Sequence, residues 1–228
     1  MASKNFGKEY FSSGSYEDYK KEAERWVPKT ARKINKIISN RPANPAPQTY
    51  ILDTLTNRDL RIVVDRRKSK NILRCGARIL DVGCAHGYLI AELQDKYGHS
   101  VKGVDYSPYA VENSEKSVRG KIRQGDILKL PFRKNEFDAV ICLDVINYLE
   151  EKNIPKAIQN MARISKKFVF FGAIFKYSWT ASQKWNPDKF RKSVLAKKEY
   201  IEIFRKYGAK FAESFDGENG GSILVLKK

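Results

Sequence analysis

Asp81, Asp105, Asp126 and Asp144 each stand at or just beyond the end of a short apolar run, and the first leads into a turn bounded by Gly83 and Gly87. A turn of this kind takes backbone angles closed to most residues and lets a ligand approach the main chain. It then passes the chain to a helix whose first N–H groups are free. Asp105 follows at a distance close to the ~20 residues expected of an acid that accepts hydrogen bonds from ribose hydroxyls. The chemistry implied is the seating of a nucleoside-bearing ligand. The dinucleotide fingerprint G-x-G-x-x-G is not met, because the spacing is Gly83-x-x-x-Gly87 with Ala85 between and Ile90 beyond.

These acids need a scaffold that brings strand ends together. From Ala77 onward apolar runs alternate with amphipathic ones: strands over 77–82, 100–105, 119–123, 137–142 and 167–174, with helices over 87–97, 108–117, around 144–162 and over 197–207. Strands near 209–215 and 221–227 follow, separated by Asp216-Gly217-Glu218-Asn219-Gly220-Gly221, a hairpin-competent turn. The rhythm predicts an α/β fold: a doubly wound, mostly parallel seven-stranded sheet closed by a C-terminal antiparallel hairpin. Ahead of it, residues 1–14 read as an irregular arm. A helix is expected from a Ser15 cap with Asp18 three residues on, continuing through a kink at Pro28 to Ser39. Residues 1–48 thus form an arm, a helical lid and a proline-rich connector, and 49–228 a single globular domain that opens with a helical region from Thr49 to about Leu73.

The motifs in 77–150 resemble, in order and spacing, those of the class I S-adenosylmethionine (SAM) dependent methyltransferases. Asp81-Val82-Gly83-Cys84-Ala85-His86-Gly87-Tyr88 looks like the first motif, with Ala85 where a glycine is common. Asp105-Tyr106-Ser107-Pro108-Tyr109-Ala110 looks like the D-x-S-x-x-A segment, in which Ser107 caps a helix and Pro108 fills its first turn. Gln124-Gly125-Asp126-Ile127 looks like the second motif, and Phe137 to Leu149 the F-D-x-V pattern beneath the methionine portion. The resemblance implies SAM as cofactor. It places Asp81, Gly83, Cys84, Ala85, Gly87 and Tyr88 along its methionine end, Asp105, Tyr106 and Ser107 along the ribose, Asp126 and Ile127 at the adenine, and Leu143 by the sulfonium. Tyr16 and Tyr19 resemble tyrosines of an N-terminal lid that closes over the cofactor.

Methyl transfer needs alignment and exclusion of water more than acid–base machinery. A hydroxyl acceptor would require a base, for which Asp144, Tyr148 or His86 is a candidate; each has a structural alternative, as helix N-cap, core aromatic and cofactor contact respectively. His99 reads as exposed and idle. Trp179, Trp185 and Phe190 are expected to wall an acceptor pocket. The expected acceptor is a hydroxyl or amine of a small-molecule or glycan-type substrate, possible anionic character included. The alternatives are RNA or tRNA methylation, and a catalytically silent protein of the same fold. The Asn/Asp-Pro-Pro-Tyr/Phe tetrapeptide of exocyclic-amine base methyltransferases does not follow the fourth strand.

Charge bears on the same question. The net charge of +18 divides as +4 over 1–40, +6 over 41–78, −2 over 79–154 and +10 over 155–228. The motif-bearing segment is therefore near neutral between basic flanks, which would serve either anion steering or solubility. Three cysteines without a C-x-x-C pair point to reduced structural thiols and to no metal site. No apolar leader and no run long enough to span a bilayer is read, so a cytoplasmic protein is expected.

Overall fold

A computed structural model describes residues 6–12, 19–39, 76–176, 190–216 and 222–228. Seven strands form one sheet in the order β3-β2-β1-β4-β5-β7-β6. They are β1 (Arg78–Val82), β2 (Ser100–Asp105), β3 (Ile122–Gln124), β4 (Phe137–Leu143), β5 (Ser165–Gly172), β6 (Lys210–Asp216) and β7 (Ser222–Lys227). The first five run parallel, while β7 lies antiparallel between β5 and β6. Strand order reverses beside β1, so the carboxyl ends of β1 and β4 flank a topological switch point, the place where open α/β sheets bind ligands.

The helices that cover the sheet are α1 (Lys8–Ser12), α2 (Tyr19–Ser39), α3 (Tyr88–Asp95), α4 (Pro108–Glu112), α5 (Ile154–Ile164) and α6 (Lys197–Lys206). One face buries Ile158, Met161, Tyr200 and Phe204 of α5 and α6 against Val140, Phe171 and Leu224. The other buries Ala23, Val27, Ala31 and Ile34 of α2 with Leu89, Ile90 and Leu93 of α3 against Ile79, Ile141 and Phe170. Strands buried on both faces read as nearly continuous apolar runs, which is why they were visible in the sequence.

Several expected elements take a different form. The helix expected over 108–117 ends at Glu112: the Asn113 side chain takes the Tyr109 carbonyl (2.8 Å), Ser114 N–H turns to Val111 O (3.3 Å), and Glu115 N–H is drawn away to His86 O (2.8 Å). The helix expected around 144–162 does not start at Asp144, whose φ of 57° is left-handed and incompatible with it. Two single 3₁₀ turns, Ile146–Tyr148 and Glu151–Asn153, come first, and α5 starts at Ile154 with Pro155 in its first turn. Asp144 is accordingly no N-cap. The residues around Pro28 form one unbroken helix, α2, and part of the supposedly irregular arm is the helix α1.

His99 is also a correction, being 7% exposed. Its Nδ1 accepts the Ala77 N–H (3.1 Å), and its Nε2 lies 3.1 Å from Asn35 Oδ1, so the ring ties the start of β1 to α2. The Ser15 cap, Tyr16, the 48/49 boundary, the basic helical region 49–73, Trp179 and Trp185 lie outside the described residues.

Candidate functional site

The carboxyl ends of the parallel strands open into a cavity of about 680 Å³, within the roughly 300–1,000 Å³ common for small-ligand sites. Twelve of the expected site residues line it: Tyr19, Asp81, Gly83, Cys84, Ala85, Asp105, Tyr106, Asp126, Ile127, Leu143, Asp144 and Tyr148. His86, Gly87, Tyr88 and Ser107 do not, and each has another place.

The turn after β1 is built on its glycines. Gly83 and Gly87 both have φ of 80°. A Cβ on Gly83 would run into the Val145 side chain, and one on Gly87 into Ile122. Gly87 is therefore a packing position behind the turn. Ala85, at φ 46°, accepts the left-handed conformation that a glycine would take freely. Its N–H donates to Asp105 Oδ2 (2.7 Å), while Ser107 N–H donates to Asp105 Oδ1 (2.8 Å). Asp105 thus cross-links the turn to the β2 end and keeps lone pairs for a ligand. Its own burial raises its pKa, and the backbone donors at Ser107, Ala85 and Tyr106 oppose that rise.

Asp81 is 5% exposed and makes no side-chain hydrogen bond among the described residues. Burial, followed by repulsion from Asp105, pushes its carboxyl up to about 8. Such a group calls for a cationic partner. On the far side of the cavity, Asp126 Oδ1 accepts the Leu128 N–H (2.8 Å), which leaves its second oxygen uncommitted. Asn160 of α5 holds the neighbouring Ile127 carbonyl (2.9 Å), and Arg163 holds those of Leu130 and Phe132. The segment after β3 is thereby fixed from beneath.

Two aromatic clusters bracket the opening. His86 packs among Phe11 (4.8 Å), Tyr19 (5.8 Å), Tyr88 (5.9 Å) and Tyr109 (6.2 Å), with its Nδ1 buried and unpartnered among the described residues. Burial lowers its pKa. The ring serves as an apolar joint for α1 and is poorly placed as a base. In the second cluster, Phe6 meets Tyr10 (4.9 Å), Tyr148 (5.5 Å) and Phe190 (5.9 Å) edge-on or tilted, and the Tyr10 and Tyr148 hydroxyls lie 2.8 Å apart. Ser107 caps α4 through Ala110 N–H (3.1 Å) and donates its hydroxyl to the Phe6 carbonyl. These contacts fasten the segment 6–12 across the cavity.

Asp144 faces the cavity at the end of β4. Its N–H bonds to Gly172 O (3.0 Å), but its carboxylate has no hydrogen-bond partner among the described residues. Protein walls replace much of the bulk water around it and raise its pKa, which Arg191 opposes. Arg191, Glu22 and Trp26, which fall in the two segments expected to meet an acceptor, Tyr10 to Trp26 and Lys176 to Lys198, also line the cavity, as do Phe6 and Asn147. Phe6 and Arg191 reach it from segments far from the motifs in sequence, whereas Asn147 stands beside Tyr148 within the fourth motif. Phe190, anticipated as an acceptor wall, lines the cavity.

The sequence of residues 79–167 matches a family described as a methyltransferase domain. A sterol 24-C-methyltransferase of Gibberella zeae is 28% identical over 159 residues, 67% of this chain and 39% of its own length. A norajmaline N-methyltransferase of Rauvolfia serpentina is 28% identical over 94 residues, 38% of this chain and 32% of its own. A probable tRNA methyltransferase 9B of Bos taurus is 37% identical over 111 residues, 48% of this chain and 23% of its own. The chain therefore spans less than half the length of each of these relatives. Among solved structures, magnesium protoporphyrin IX methyltransferase of Synechocystis PCC 6803 with bound S-adenosylhomocysteine (SAH) superposes with a TM-score of 0.57 at 19% identity, covering 68% of this chain and 75% of that one. A SAM-dependent methyltransferase of Archaeoglobus fulgidus does so with a TM-score of 0.56 at 16% identity, covering 68% and 88%. At those identities the superpositions speak to the fold. Residues 79–167 thus match a methyltransferase domain, and the sheet order is that of the fold these SAM-dependent methyltransferases share.

Proposed function

We propose that the chain transfers a methyl group from SAM to a small-molecule acceptor seated between the ends of β1 and β4 and the segment 6–12. The observation that carries the reading is the buried Asp81, without a hydrogen-bond partner among the described residues, beside the Gly83–Ala85 main chain and in one cavity with Asp105 and Asp126. This donor set fits SAM part by part. Asp81 meets the methionine ammonium, the Gly83 to Ala85 main chain its carboxylate side, Asp105 the ribose hydroxyls, and Asp126 with Ile127 the adenine. When bound, SAM supplies an electrophilic methyl on a sulfonium. The protein's part is to align the acceptor, through Leu143, Asp144 and Tyr148, and to keep water out by packing Phe6, Tyr10 and Phe11 over the opening.

Calorimetric titration with SAH tests this directly. SAH is expected to bind, and Asp105→Ala to weaken it by at least about tenfold, the scale of lost hydrogen bonds to a charged group. Absence of SAH binding refutes the reading. The likeness to a probable tRNA methyltransferase over 111 residues and the basic flanks support a second reading, with RNA as acceptor. It predicts RNA affinity that falls steeply with salt and is lost on neutralising Arg61, Arg66 and Arg67.

A further inference from the structure

We propose that the acceptor is an amine, bound as its ammonium form with its N–H directed at the Asp144 carboxylate and its carbon skeleton among Phe6, Tyr10, Tyr148 and Phe190. The inference rests on the methyl-transfer reading and narrows it to a substrate class.

The charge of the cavity is the first argument. The chain as a whole carries +18, yet the described residues that line the cavity include six acids, Glu22, Asp81, Asp105, Asp126, Asp144 and Glu150, against only Arg191 and Lys192. A basic protein with an acidic interior does not draw an anion inward; low-dielectric walls concentrate the field of the acids and favour a cation. Three of those acids fall to SAM. Of the others, Glu150 is paired with Lys152 (2.9 Å) at the rim, and Glu22 lies on the exposed side of α2. Asp144 lines the cavity at the end of β4, within the field of Arg191, and makes no side-chain hydrogen bond among the described residues.

The backbone supplies a second argument. A non-glycine residue in the left-handed region is uncommon and persists where the surroundings enforce it. Here the Gly172 carbonyl holds the Asp144 N–H at 3.0 Å while φ stands at 57°. This conformation directs the end of β4 into the cavity rather than into a helix.

The third argument is chemical. A water-like hydroxyl, with a pKa of about 15.7, is far beyond any carboxylate. An alkylammonium, about 10.4, is much nearer to an aspartic acid whose pKa is raised. The faces of the neighbouring rings attract an ammonium more than an alcohol of the same shape. In the step itself the ammonium first passes one N–H proton to Asp144. The freed nitrogen lone pair then forms the N–C bond as the S–C bond breaks with its electron pair remaining on sulfur, and Asp144 returns the proton to water.

Two measurements test the proposal. In the first, 2-phenylethylamine, 2-phenylethanol and phenylacetate are titrated separately into the SAH-loaded chain. The amine is expected to bind about tenfold or more tightly than the alcohol, the carboxylate least, and Asp144→Asn to bring amine and alcohol level while SAH affinity changes less than about threefold. Failure of the amine to bind, preference for the carboxylate, or an amine preference that survives Asp144→Asn overturns the proposal. In the second, SAM bearing a deuterated methyl is incubated with the chain and a small-molecule extract, and tandem mass spectrometry locates the label. Label on nitrogen supports the proposal, and label on oxygen, carbon or sulfur of a small molecule overturns it while leaving methyl transfer intact. No SAH binding, or no label in any small molecule, refutes both.

Discussion

Replacing Asn147 by alanine removes three hydrogen bonds that join two segments bordering the cavity. The side chain is 1% exposed. Its Nδ2 donates to Ile174 O (3.1 Å) and Ser193 O (2.9 Å), and its Oδ1 accepts from Ile174 N–H (2.9 Å). The Asn147 carbonyl in turn accepts from Lys192 N–H (2.8 Å) and Ser193 N–H (3.2 Å), and those bonds survive the substitution. One of the lost bonds is fully buried, and leaving its carbonyl unpaired costs about 1–3 kcal/mol. The other two are part-buried, so water recovers some of their loss, and the total expected is about 2–4 kcal/mol. Asn147→Asp is the sharper variant. It keeps the acceptor for Ile174 N–H but turns a second oxygen toward two carbonyls, so at neutral pH it should destabilise more than alanine. Lower pH should restore part of the loss by protonating that oxygen. Urea unfolding reads both changes as a shift in midpoint at constant slope. A loss below about 1 kcal/mol for alanine, or an aspartate variant more stable than the alanine one, refutes the assignment.

Three further outcomes follow from the same geometry. Asp81 has a folded pKa of about 8, above its unfolded value, so the native state binds the extra proton and stability falls as pH rises from about 4 toward 8. Asp81→Asn should therefore make the ligand-free chain more stable at neutral pH by a few kcal/mol while weakening SAH binding. A variant of unchanged stability, or one with undiminished SAH affinity, counts against Asp81 as a charged cofactor contact. His99 has a folded pKa lowered by burial. Its contribution is complete above about pH 6.5 and is lost as pH falls, because protonating Nδ1 would confront the Ala77 N–H. Urea midpoints should drop between neutral pH and pH 5, and His99→Gln should flatten that drop. Gly83→Ala places a Cβ against Val145 at a φ of 80°; about 1–3 kcal/mol of stability and most SAH binding should be lost, read by urea unfolding and calorimetry.

The sheet was legible because its signal is local. The central strands β1 and β4 are buried on both faces and read as apolar runs, and a mostly parallel sheet with an antiparallel end followed from the alternation of strands with helices and from the hairpin turn. Asp81, Asp105 and Asp126 were legible for a related reason: ends of parallel strands converge by construction, so an acid placed there is delivered to the cavity. What escaped notice depends on contacts across the fold. Gly98-His99-Ser100 looks like a polar turn, and His99 is buried only because Asn35 of α2 comes down on it from 64 residues away. Arg191 and Phe6 reach the cavity from segments that share no pattern with the motifs.

Asp144 is the most instructive of these. The run Val145-Ile146-Asn147-Tyr148-Leu149 has the apolar spacing of a helix, and read alone it makes Asp144 the cap. The fold overrides that preference at three points. Val145 must cover Gly83, where no side chain fits. Asn147 must turn inward to hold Ile174 and Ser193, and Tyr148 must meet Tyr10. With these three side chains held by three different segments, the chain forms 3₁₀ turns in place of a regular helix, and Asp144 takes a left-handed φ of 57°. A residue that local sequence assigns to helix capping is thereby released from it, its carboxylate left open to the cavity. Conflict between local preference and tertiary demand is expected where a site is built at the expense of regular structure, and here it singles out the side chain most suited to receive an acceptor's proton.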